Sequence, residues 1–249
     1  MGRLPDGRAV FVPFALPGER VRIDILEEKR GYARVRLVEI LEPSPERILP
    51  RCPHFTECGG CHYQHLPYGK QLAAKAGILR EQLQRIAGIP DPNIEDIVPS
   101  PLPWNYRNHL QFHIDSQGRL GFKAAGSDHI VPVRECHLPE DVLDGLWRQL
   151  EIEPLPGLER IGLRAGMNGE TMLTLESSSL ELPEMELDLP LSVVHLSPAG
   201  PLVLAGEPLL WMSVLGVNCL LYTSDAADDL LCVALGGRRL INKKNKHTR

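Results

Sequence analysis

Cys52, Cys58 and Cys61 fall within ten residues in the spacing C-x5-C-x2-C, and Cys136 follows 75 residues after Cys61. Thiolate sulfur is a soft ligand, so three cysteines on one tight loop, joined by a fourth from elsewhere, make a site for a sulfur-loving metal. Gly59-Gly60 lets the backbone curl so that Cys58 and Cys61 can face one point, and it admits amides close to the sulfurs. Such N–H groups would tune the potential of a cluster. A [4Fe-4S] cluster and a structural zinc both accept four cysteines. Zinc folds more often pair two C-x2-C knuckles, and the single distant Cys136 shifts the reading towards iron–sulfur. The alternative is four unrelated buried thiols. His54, His62, His65 and His137 stand nearby and are read as packing or loop residues, since four cysteines already complete the site.

Such a loop must be held by ordered elements, and the 249 residues suffice for two domains. In the first forty residues apolar positions alternate: Val10, Val12 and Phe14, then Val21, Ile23 and Ile25, then Ala33, Val35 and Leu37. Period two means half-buried strands, and Pro17-Gly18 and Arg30-Gly31 punctuate them as turns. Arg20, Arg22, Arg34 and Arg36 take the outer positions as a candidate basic wall, or as ordinary solvent-facing arginines. Pro43-Ser44-Pro45 reads as a linker. After the cysteine loop, Pro67 opens a helical pattern of Leu72, Ala76, Leu79, Leu83 and Ile86, closed by Gly88 and Pro90. Strand and turn signals then return, with turns at Ser116-Gln117-Gly118 and Asn168-Gly169.

Charge is uneven. Residues 1–90 carry 14 basic and 10 acidic side chains, whereas residues 151–215 carry 2 and 10, so a polyanion meets the first third most favourably. The N terminus lacks a signal-peptide core, and prolines interrupt the uncharged stretch 189–206, so the expectation is a cytoplasmic chain without a membrane span. In that compartment metal ligation is a better first guess than disulfides for clustered cysteines.

Cys52-Pro53-His54-Phe55, Cys58-Gly59-Gly60-Cys61, Gln64-His65-Leu66, Tyr68, Gln71 and Lys75 together resemble the signature of the RNA uracil-5-methyltransferases that carry an iron–sulfur cluster. Asp6-Gly7-Arg8, Phe11-Val12-Pro13-Phe14 and Leu16-Pro17-Gly18-Glu19 are similar to the TRAM domain that begins those enzymes, a small OB-like barrel that binds RNA. Tyr106-Arg107-Asn108, Leu120-Gly121-Phe122 and Cys136 fall where the family's central domain supplies a strand, a turn and the fourth cluster ligand.

The resemblance implies an N-terminal OB-like TRAM β-barrel over 1–45, incomplete at its start. An α+β central domain over 50–215 follows, with a mostly antiparallel sheet and an iron–sulfur loop. The C-terminal Rossmann-like methyltransferase domain is expected to be absent, because no G-x-G-x-x-G loop for S-adenosylmethionine occurs and residues 217–249 read as an artefactual or disordered tail. In the family a cysteine adds to uracil C6, making C5 nucleophilic enough to take the methyl group of S-adenosylmethionine, and a base then removes the C5 proton. Those residues are expected in the absent domain, leaving this chain inactive by itself. Cys219 and Cys232 match no motif and are rejected as nucleophiles. The expected cofactors are a [4Fe-4S] cluster on Cys52, Cys58, Cys61 and Cys136, with S-adenosylmethionine only in the full-length relative. The expected partner of the monomeric chain is RNA, ribosomal rather than transfer RNA, and neither DNA nor membrane. Arg20, Arg22, Arg34, Arg36, Arg107 and Lys123 are the candidate RNA contacts. A standalone RNA-binding iron–sulfur module and a four-cysteine zinc protein-interaction module are the competing readings.

Overall fold

The computed structural model describes residues 2–4, 6–150, 152, 157–181, 189–214 and 216–222. Its contacts divide the chain into one unit of Met1–Pro103 with Lys123–Val131 and another of Trp104–Phe122 with Pro132–Arg249. The cysteine loop therefore belongs to the same compact unit as the N-terminal strands, rather than beginning a domain with the later sheet.

In the first unit, β1 (Gly2–Arg3), β2 (Ala9–Phe11), β3 (Arg20–Glu28) and β4 (Tyr32–Glu42) form a four-stranded sheet in the order β1-β2-β4-β3. Period-two alternation places Val10, Ala33 and Val35 in its core, with Val12 and Ile23 packed against them. Helix α1 (Tyr68–Arg85) starts after Pro67, as the sequence predicts; Gly88, at φ 68°, turns the chain and Ile89 N–H returns to Leu83 O at 3.1 Å. No residue of α1 is buried, so its apolar stripe is only partly covered.

A larger sheet has the order β11-β10-β9-β8-β5-β6-β7, and all of it except Lys123 and Ile130–Val131 lies in the second unit. Its strands are β5 (His109–Ile114), β6 (Leu120–Lys123), β7 (Ile130–Pro132), β8 (Leu158–Ala165), β9 (Thr171–Ser177), β10 (Ser192–Ser197) and β11 (Gly200–Ala205). Both predicted turns join antiparallel strands. Gly118 has φ 79°, and Asn168 and Gly169 both take the positive φ expected of that pair. The pairing of β9 with β10 is parallel, which local turn signals could not show because it depends on a longer connection.

Register fixes which residues share a face. Leu110, Leu163, Leu173 and Val193 lie side by side, as do Phe112, Ile161, Leu175 and His195, and all are buried. Leu143, Leu146 and Trp147 of helix α2 (Asp141–Trp147) join this core. The hairpin of β12 (Leu209–Val214) and β13 (Val217–Tyr222) puts Leu210 against Met172 and Val194 of the opposite face. Of the expected tail, residues 217–222 thus form a strand, and 223–249, with Cys232, lie outside the described residues. No described helix is long and apolar enough to cross a membrane.

Candidate functional site

The cysteine loop is shaped by side chains of its own motif. Gln64 is buried and its Oε1 accepts the Cys52 N–H at 3.0 Å; Gln71 Nε2 donates to Leu66 O at 2.9 Å; Tyr68 Oη accepts the Ser100 N–H at 2.7 Å. Three residues of the recognised signature therefore act as scaffolding. Within the loop Thr56 has φ 81°, a conformation strained for a β-branched residue. Cys58 forms a bridge with Ala124, and the Gly59 N–H donates to Lys123 O at 2.9 Å. A Cβ on Gly59 would lie 2.8 Å from that carbonyl oxygen, so the chains approach this closely only because the residue is glycine. Gly59→Ala is expected to destabilise the loop by about 1–2 kcal/mol through overpacking, read as faster amide exchange at residue 59 and Ala125.

Cys52, Cys58, Cys61 and Cys136 are half-buried and outside any disulfide. The Gly60 N–H lies 3.4 Å from Cys58 Sγ, the kind of amide contact that stabilises thiolate. The first three cysteines belong to the first unit and Cys136 to the second. The segment leading to β5 is laced to the residues after Cys136: Asn105 N–H donates to His137 O at 3.0 Å, Arg107 N–H to Leu138 O at 2.8 Å, and Asn105 Nδ2 to Pro139 O at 3.1 Å. Thiol chemistry suits a sulfur-bound metal, yet among the described residues no group of three or more His, Cys, Asp or Glu is gathered to hold one. The side chains as placed do not constitute a formed metal site.

Sequence reasoning missed the centre of the first unit. The Glu19 side chain is fully buried and accepts the Leu16 N–H at 2.7 Å, the Ser44 N–H at 3.1 Å, Arg47 Nε at 2.5 Å and an Arg47 terminal nitrogen at 2.8 Å. Arg47 also donates to Phe14 O at 2.7 Å. The Arg47 guanidinium, joined by two backbone amides, lowers the Glu19 pKa to about 2. Phe14, Phe55 and His65 pack beside this pair, with Phe55 meeting Phe14 at 5.2 Å and His65 at 5.4 Å between ring centroids. Burial, then the Arg47 charge, pushes the His65 pKa down. The signal was present in Leu16-Pro17-Gly18-Glu19: Gly18 takes φ 83° and closes the turn that swings Glu19 inward, but nothing in the sequence pointed to Arg47.

The candidate RNA contacts are not a bare cationic wall. Arg20 pairs with Glu42 at 2.7 Å, Arg22 with Glu39 at 2.6 Å, Arg36 with Asp24 at 2.6 Å and Arg34 with Glu27 at 3.6 Å, each across β3 and β4. Lys123 pairs with Asp128 at 2.7 Å, and the Arg107 backbone bridges to Pro139. Exposed pairs contribute little, so Arg22→Ala is expected to change the unfolding free energy by under about 0.5 kcal/mol in urea denaturation.

Comparison with known proteins adds to this geometry. Residues 1–38 match the TRAM domain. The chain is similar to an uncharacterized RNA methyltransferase of Nostoc sp., 34% identical over 75% of this chain and 44% of that protein. It is similar to the 23S rRNA (uracil(1939)-C(5))-methyltransferase of Shewanella denitrificans as well, 36% identical over 57% of this chain and 32% of that one. The chain spans less than half the length of these relatives. Its structure resembles that of the tRNA (uracil-54, C5)-methyltransferase of Pyrococcus abyssi, solved with S-adenosyl-L-homocysteine, at TM-score 0.58 and 22% identity, over 91% of this chain and 60% of that one. This corrects the expected fold class. In fold alone the chain resembles that protein over 91% of its length, and the expected absence of the C-terminal methyltransferase domain is withdrawn. That expectation leaned on one missing glycine-rich loop and on the look of the tail, both local signals, whereas fold is set by the pairing of distant strands.

Proposed function

We propose that this chain acts in S-adenosylmethionine-dependent methylation of uracil C5 in RNA, with ribosomal RNA as substrate, and that its described residues hold and present the RNA. The carrying observation is the similarity to RNA methyltransferases, which covers 75% of the chain, together with the TRAM domain match over 1–38. S-adenosylmethionine would supply the methyl group. The protein's part, on this reading, is to grip a single-stranded segment and keep its target base out of the stack, since uracil C5 is unreachable within paired RNA. Cys52, Cys58, Cys61 and Cys136 are proposed to ligate a [4Fe-4S] cluster that braces the RNA-binding surface; the support is their spacing and the amide beside Cys58 Sγ.

The test is transfer of labelled methyl from S-adenosylmethionine to unmodified ribosomal RNA, with transfer RNA alongside and 5-methyluridine identified by mass spectrometry of nucleosides. Label in ribosomal RNA at C5 is the expected result. Label confined to transfer RNA would reassign the substrate, and a chain that neither methylates nor binds either RNA would overturn the proposal.

A further inference from the structure

The second sheet has two faces of opposite character. Opposite the core, register lines up His109 with Arg164, Gln111 with Gly162 and Thr174, and His113 with Arg160 and Glu176. The apolar end of this outer face, at Met172 and Val194, is closed by Leu210 of β12. The rest, on β5, β8 and the near side of β9, is polar and half-buried around a buried glycine, Gly162. It carries two guanidiniums, two imidazoles, an amide and a hydroxyl against one carboxylate, Glu176, which Arg160 and Gln111 both engage. His109, His113 and Arg164 are likewise engaged with neighbours, so the planar groups are held in place in advance.

Gly162 sits at the middle of this face. A Cβ there would come within 2.2 Å of Thr174 Oγ1, with His109 Nε2 at 3.9 Å, so the glycine leaves a floor over which those side chains close in. Arg160 and Arg164 flank that glycine on the same strand, about 14 Å apart at ~3.4 Å per residue. Planar cations and imidazoles set close together on one face suit flat aromatic rings joined by phosphates, because each ring has a π face to stack and each phosphate takes a guanidinium. A protein partner would call for an apolar centre instead, and the fold has already covered the apolar end with its own hairpin.

We propose that the outer face of β5, β8 and β9 is a platform for unstacked nucleotides of single-stranded RNA, with bases against the His109, Gln111 and His113 side chains and phosphates towards Arg160 and Arg164. The proposal rests on the RNA reading given above and names the surface that takes the strand. The test uses the full chain and a uridine-rich single-stranded RNA in fluorescence anisotropy, comparing the native protein with the double variant Arg160→Gln/Arg164→Gln. Affinity should fall roughly tenfold, and the slope of log K against log salt should flatten by about 1.4, from two lost phosphate contacts at ~0.7 each. Cross-linking with 4-thiouridine RNA should label the peptide containing His109 and His113, a readout independent of the substitutions. Native affinity and slope in a folded double variant, or cross-links confined to the first unit, would overturn the platform while leaving RNA binding intact. Failure of the native chain to bind RNA would instead sink the reading on which it rests.

Discussion

Glu19→Gln is expected to lower the unfolding free energy of the first unit by about 3 kcal/mol. Two routes give this figure. A carboxyl group whose pKa falls from 4.5 to about 2 on folding contributes about 3 kcal/mol, at roughly 1.4 kcal/mol for each tenfold change in proton affinity. Removing one partner of a buried pair costs a similar amount, ~3–5 kcal/mol, because the other charge is stranded. The sign with pH follows from the lowered pKa. The folded pKa lies below the unfolded one, so the contribution is full above about pH 4.5 and is lost as pH falls through about 2. Urea denaturation of native and variant protein at a series of pH values checks both statements. The gap should be widest near neutrality and should close across that acidic window, whereas a constant gap would mean that the carboxylate charge does not carry the effect.

Cys58→Ser should abolish iron incorporation: anaerobically purified native protein is expected to carry ~4 iron per chain with a broad band at roughly 400 nm, and the variant almost none. Since the cysteine loop lies in the first unit and is stitched to Lys123–Ala125, loss of amide protection should appear there, and the β5-β8-β9 core should stay protected. Full iron in the variant would refute the ligand assignment. About one zinc per chain without iron in the native protein would replace the cluster by a structural zinc site.

Where structure depends on neighbours in sequence, it was legible. Helix α1 could be read from its apolar period and its terminal Gly88, and the Asn168-Gly169 turn from the tolerance of both residues for positive φ. The cysteine spacing pointed to a sulfur site, although the described side chains are not gathered as one. The arginine alternation on β3 and β4 gave the correct face but the wrong electrostatics, because the partners Asp24, Glu27, Glu39 and Glu42 are set by cross-strand register, which bulges at three places. Glu19 and Arg47 are 28 residues apart, and no local period links them. The polar rows around Gly162 stayed hidden for the same reason, since His109, Arg164 and Thr174 become neighbours only once β5, β8 and β9 are paired. The missing-domain expectation failed because it took one absent motif as a statement about a whole fold.

The arginine–carboxylate ladder on β3 and β4 makes that surface electrically self-contained. A patch of unpaired arginines would hold any polyanion that drifted past, whatever its shape. Here each guanidinium already has a carboxylate within 3.6 Å or less, so an arriving phosphate must displace a tethered competitor at every step. The ladder in that sense shows paired rather than open charge, and its pull on a distant polyanion is correspondingly weaker than the count of arginines suggests.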